Sequence, residues 1–171
     1  MTSRCEACRF DYYGFARPEI PDRLHASAAD HVERLTETPA ALLRERPLPG
    51  WSALEYGCHV RDVLLVQAGR IDQAQREDSP EFVPMGRDER AVNDRYNEQD
   101  PSTVAGQLTA AADALAFQLE SLDDGGWART GVYSYPERSL RDVDWIARHT
   151  LHELSHHLAD VDRVLLTALE R

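Results

Sequence analysis

From Ser139 to Arg171 the chain carries neither glycine nor proline. Over that stretch Val143, Ile146, Ala147, Leu151, Leu154, Leu158, Val161 and Leu165 recur at spacings of three and four, the period of a helix with one buried face. A rod of that length must have its apolar stripe covered, which commits the chain to packing helix on helix. The same rod is rich in histidine: His149, His152, His156 and His157, with Glu153 among them. His152 and His156 stand four apart, on one face and one turn from each other, a spacing that suits two ligands of one metal ion. Glu153 and His157 repeat that spacing one residue on and form the offset alternative. Neutral imidazole favours zinc, nickel, iron or copper over magnesium or calcium.

Three more helices are legible. Ser52-Ala-Leu-Glu55 is a capping box, and the helix it opens runs to about Gln75. His59 lies in its second turn, on the face of Glu55, Asp62 and Val66, so Asp62 is placed to orient a ligating ring. Before it, Leu24, Ala28, Val32 and Leu35 mark an amphipathic helix that Pro39 ends or kinks. Asp100-Pro101 opens another, with Leu108, Leu115, Leu119 and Leu122 on its stripe and Asp124-Gly125-Gly126 at its close. The connections at about 76–100 and 123–138 are long. The first has room for a short helix at Glu89–Tyr96; in the second, the Val132–Tyr135 alternation is too short for more than a hairpin arm. Ser139 is the expected cap of the last helix. The expected fold is all-α, a four-helix bundle with long inter-helix connections, in which facing helices can supply metal ligands to the core.

Ahead of the bundle, expected over 20–171, residues 1–19 form an arm with Cys5-x-x-Cys8. Two thiolates at that spacing resemble half a zinc ribbon. The second half is missing, so Cys58 or a histidine is the expected completion. A redox pair or two simple buried residues are the other readings. Thirty acidic against 19 basic residues give a net charge of -11, which argues against a nucleic-acid surface or an anionic membrane as partner. The expected partner is a small-molecule substrate. No apolar run approaches a membrane span, the start lacks an apolar leader core, and three cysteines make no disulfide framework. A cytoplasmic location is expected.

His152-Glu153-Leu154-Ser155-His156 also matches the metalloprotease motif H-E-x-x-H, in which Glu153 would be the base acting on a zinc-bound water. Ala159 stands where one protease subgroup has the glycine that turns the chain back, and no edge strand is foreseen to hold a peptide. A peptidase is the weakest of the readings.

Two segments taken together, Trp51-Ser-x-x-Glu55-x-x-Cys58-His59-Val60-Arg61-Asp62 and His152-Glu-x-x-His156-His157-Leu158-x-Asp160, resemble the DinB/YfiT-like superfamily, over roughly residues 20–168. That superfamily includes mycothiol-dependent maleylpyruvate isomerases and bacillithiol transferases. The resemblance implies a four-helix bundle and a divalent metal, zinc first and nickel or iron next. Carried over, the ligands are His59, His152 and His156, with Glu153 and Asp62 as candidate bases. It implies either attack by a metal-activated thiol such as mycothiol or hydrolysis by metal-activated water. A non-catalytic metal-binding bundle is the alternative, and a homodimer is a candidate assembly. The Cys-x-x-Cys arm is no part of the family pattern.

Overall fold

The computed structural model describes residues 4–47, 49–134 and 137–170. Outside them lie the first residues of the expected arm and Tyr135 of the expected alternation. Four long helices carry the fold: α1 (Ile20–Glu37), α3 (Ala53–Arg76), α5 (Pro101–Glu120) and α7 (Val143–Leu169). Short helices α2 (Ala40–Leu43), α4 (Arg87–Asn93) and α6 (Asp124–Trp127) sit in the connections. Strands β1 (Thr130–Tyr133) and β2 (Ser139–Asp142) pair antiparallel as a hairpin just ahead of α7.

The local signals act where they stand. Ser52 Oγ accepts from the Glu55 N–H at 3.1 Å while the Glu55 carboxylate accepts from the Ser52 N–H at 2.9 Å, closing the capping box. Asp100 accepts from the Thr103 N–H at 2.8 Å, with Pro101 in the first turn of α5. Pro39 separates α1 from α2. The last helix starts later than Ser139: that residue opens β2, and Asp142 caps α7 by accepting from the Trp145 N–H at 2.8 Å. The hairpin thus takes Ser139, the expected cap, and the three residues after it that the absence of glycine and proline had assigned to the helix. Asp124-Gly125-Gly126, read as the close of α5, instead forms the extra turn α6, capped by Asp123.

Helices α1 and α3 each pack against both α5 and α7, so the order around the bundle is α1, α5, α3, α7. Consecutive long helices α1 and α3 therefore stand diagonally opposite, as do α5 and α7. A diagonal step must cross the end of the bundle, as the 38–52 and 121–142 connections do, whereas the equally long 77–100 connection joins the neighbours α3 and α5. Leu24, Leu54, Leu64, Leu108, Leu115, Ile146 and Leu154 fill the core. Among the described residues no helix is long and apolar enough to cross a membrane.

Candidate metal centre

The α3–α7 contact brings His59 to Glu153 and His157, whose donor atoms all lie within 4.8 Å of one another. The two imidazoles meet edge to face, with ring centroids 4.8 Å apart, and both are buried. Trp51 covers the His59 ring and Tyr56 the His157 ring, at centroid distances of 5.3 and 5.4 Å. His157 Nδ1 lies 3.0 Å from Asp160 Oδ2, which turns Nε2 toward Glu153 Oε2 at 3.6 Å. That carboxylate–imidazole pairing is the usual means of fixing a ligating ring. His59 Nδ1 is buried without a hydrogen-bond partner. A buried polar atom left unpaired is costly, and a metal ion is one of the few groups that would satisfy it here.

Electrostatics agree with a cation-binding role. Burial, with His157 beside it, pushes the His59 pKa down to about 4, so the ring is neutral and its lone pair free at physiological pH. Burial opposes the Glu153 carboxylate, but His152, His157 and His149 around it outweigh burial and hold its pKa far below the usual carboxylate range. His149 Nε2 is 3.7 Å and His152 Nδ1 3.5 Å from Glu153 Oε1. The Asp160 carboxylate, hydrogen-bonded to His157 and to Arg163, is held near 2.

The expected set of His59, His152 and His156 is not among the donor groups of the described residues. His59 meets the offset pair, Glu153 and His157, because α7 presents that row of side chains to α3. His152 and His156, about 100° around the helix from them, face the N-terminal arm instead and group with Cys5 and Cys8. This arrangement also removes the protease reading, which needs the two histidines to share a metal with Glu153 as base. Asp62 is corrected as well: buried, it gives one oxygen to Arg61 Nε at 2.8 Å and the other to the Tyr96 hydroxyl at 2.5 Å, and it is a structural ion pair. Cys58 does not join the N-terminal cysteines. Its thiol is buried in α3 against the Tyr96 carbonyl and Gln99 at 3.6 Å, and burial pushes its pKa up to about 12.

Beside the three donors opens a cavity of about 410 Å³. His59, Glu153, His149, Val63, Phe82 and Arg87 are among the residues that line it. Arg70 also lines it, with Nη1 on the Tyr133 hydroxyl at 2.6 Å and Nε buried without a partner. Sequence reasoning missed His149 and Tyr133. His149 had a signal, as the first member of the four-spaced row that continues through Glu153 and His157. Tyr133 had none, since only the hairpin brings it back to α3.

Bundle, diagonal connections and a cluster of His and Glu donors between α3 and α7, the second and last of the long helices, define a class of four-helix bundles with a candidate metal site. The chain belongs to the DinB superfamily, whose profile matches residues 22–161. Among solved structures, YfiT from Bacillus subtilis, described as a probable metal-dependent hydrolase with an unusual four-helix bundle topology, superposes with a TM-score of 0.77 at 15% identity, covering 89% of each chain. A mycothiol-dependent maleylpyruvate isomerase superposes with a TM-score of 0.72 at 14% identity, over 92% of this chain and 69% of that one. At such identities the likeness is one of fold. No curated protein matches the sequence significantly.

Proposed function

We propose that the protein is a metal-dependent enzyme in which His59, Glu153 and His157 hold a divalent cation, zinc foremost, and a thiol is transferred to a small electrophile bound in the adjoining cavity. The observation that carries this reading is a three-donor set two of whose members, His59 and Glu153, line a cavity: three protein ligands leave coordination positions for a reactant, whereas a structural site is closed by four. When bound, the ion would supply Lewis acidity and lower the pKa of a thiol or a water at neutral pH. The chain's own residues set the rest. Asp160 orients His157, His149 and His152 hold the Glu153 carboxylate in place, and Trp51 and Tyr56 keep water from the imidazoles. Arg70 and Arg87 give the cavity a positive wall in an otherwise acidic protein, which favours a substrate or thiol bearing a carboxylate or phosphate.

Thiol transfer is favoured over hydrolysis because, among the described residues, Glu153 is the only carboxylate lining the cavity, and the donor set uses it. The ion would acidify either a thiol or a water, but a water still has a further proton to give up as it adds, which leaves the neutral His149 ring as the base for it, whereas a thiolate carries none. A mycothiol-type thiol fits this role, as the relation to the maleylpyruvate isomerase suggests. The test is thiol conjugation by the zinc-loaded protein against a panel of anionic electrophiles, alongside ester and amide hydrolysis. Conjugation lost in His59→Ala together with the zinc of this site supports the reading. Hydrolysis without conjugation would replace it with the water-based reaction, and a fully loaded protein inert in both would leave a metal-binding bundle without catalysis.

A further inference from the structure

Four donors lie outside that three-donor set and meet where the N-terminal arm crosses α7, His152 among them although its Nδ1 also stands 3.5 Å from Glu153 Oε1. Cys5, Cys8, His152 and His156 have donor atoms all within 4.8 Å of one another. We propose that these four residues form a second, structural zinc site that staples the arm to the last helix, distinct from the three-donor centre one face away.

The donor chemistry is two thiolates and two imidazoles, the borderline-soft, four-coordinate set that closed zinc sites use. Around zinc, bond lengths of about 2.0–2.3 Å put donors roughly 3.3–3.8 Å apart, so small side-chain rotations close the present spacing. The backbone is already shaped for it. The Arg9 N–H donates to the Cys5 carbonyl at 2.8 Å, the Cys5 N–H donates to the Phe10 carbonyl at 2.9 Å, and Arg9 takes a left-handed conformation at φ 62°. The chain thus turns tightly around the two thiols. The histidines are prepared too. Neither nitrogen of His152 has a hydrogen-bond partner, although both are shielded from solvent, and the same is true of His156 Nδ1. Phe10 and Tyr12 pack on the His152 ring at centroid distances of 5.7 and 5.4 Å and keep water away.

The partition of donors is also clean. Assigning His152 and His156 to the cysteines leaves His59, Glu153 and His157 complete, with no residue shared. The other group, His149, His152 and Glu153, borrows one member from each. Binding replaces the two thiol protons, released to solvent, with bonds to the ion. The arm gains a covalent-like anchor that its few buried contacts do not otherwise supply. The proposal does not depend on the reaction assigned to the other centre.

The experiment counts zinc in reduced protein made without an affinity tag, then replaces zinc with cobalt(II). Wild type should hold two ions per chain, and the variant carrying both Cys5→Ser and Cys8→Ser should hold one. His59→Ala should hold one as well, having lost the other ion. Cobalt-loaded wild type should show thiolate-to-metal charge-transfer absorption and intense tetrahedral d–d bands; His59→Ala should keep them and the cysteine variant lose them. Equal zinc in wild type and the cysteine variant overturns the proposal. So does wild-type cobalt protein without thiolate absorption, a measurement that needs no variant to fold. Failure of the three-donor centre would show separately, as an unchanged zinc count in His59→Ala.

Discussion

Asp160 is not among the residues lining the cavity beside the site, yet it sets the ring orientation of His157 through a 3.0 Å contact. Its replacement by Asn removes the charge that orients the ring, and metal affinity at the three-donor centre should fall by roughly 10–100-fold. Competition with a chromophoric chelator measures this, and unchanged affinity would mean that His157 is not a ligand. His31, reaching from α1, is a different kind of histidine. It is buried, and its Nε2–H donates to the Leu154 carbonyl at 2.9 Å. Burial pushes its pKa from 6.5 down to about 4, against the opposing hydrogen bond to the Leu154 carbonyl and the Asp30 charge and with smaller help from His157 and Arg34. The unfolded ring takes its proton below about 6.5 while the folded ring refuses it until about 4, so stability falls as the pH drops through that window. The loss is on the order of 3 kcal/mol for this group. Urea denaturation of metal-free protein at pH 7 and pH 4.5 should therefore show a smaller acid loss in His31→Gln than in wild type. Equal losses would mean that the ring is not held neutral.

At the scale of elements, the hairpin shapes the cavity. A Cβ built on Gly131 of β1 would stand 2.1 Å from the Phe82 ring, so Gly131→Ala must push Phe82 off its place in the cavity wall. Overpacking of this kind costs about 1–3 kcal/mol. Calorimetry should show the lowered Tm, and substrate KM should change more than metal content, because the ligands lie on α3 and α7. Arg148 ties the arm to α7 by donating to the Tyr12 and Phe15 carbonyls at 2.8 and 3.0 Å while pairing with Asp144. The hairpin's exact extent escaped the sequence for a physical reason. Ser139-Leu-Arg-Asp142 contains no residue that forbids a helix, and only pairing with Thr130–Tyr133 makes it a strand. The caps at Ser52 and Asp100 depend on neighbours three residues away, and those were legible.

Across the whole molecule, metal should act as a ligand of the native state and raise stability by mass action. Removing it with a chelator should lower Tm and free the arm first. Trypsin should then cut after the exposed Arg9 in chelated protein well before it cuts zinc-loaded protein. Equal cleavage rates would show that the arm is held by Arg148 and the aromatic contacts alone. The diagonal arrangement of consecutive helices has a consequence for the site: it makes α3 and α7, far apart in sequence, direct neighbours. Helix identity follows from local periodicity. Which helix lies beside which follows from connections whose paths leave no periodic mark.

The sequence by itself determined the four long helices, the caps at Ser52 and Asp100 and the presence of two four-spaced rows of candidate ligands on the last rod, because each depends on residues within a turn or two. It could not say which row serves which site. His152 and His156 differ from Glu153 and His157 only by a rotation of about 100° around α7. The sense of that rotation was fixed by what packs on each face: α3 with His59 on one, the arm with Cys5 and Cys8 on the other. That choice belongs to tertiary packing, where burying Leu151, Leu154 and Val161 in the core sets the roll of the helix and every polar side chain follows it.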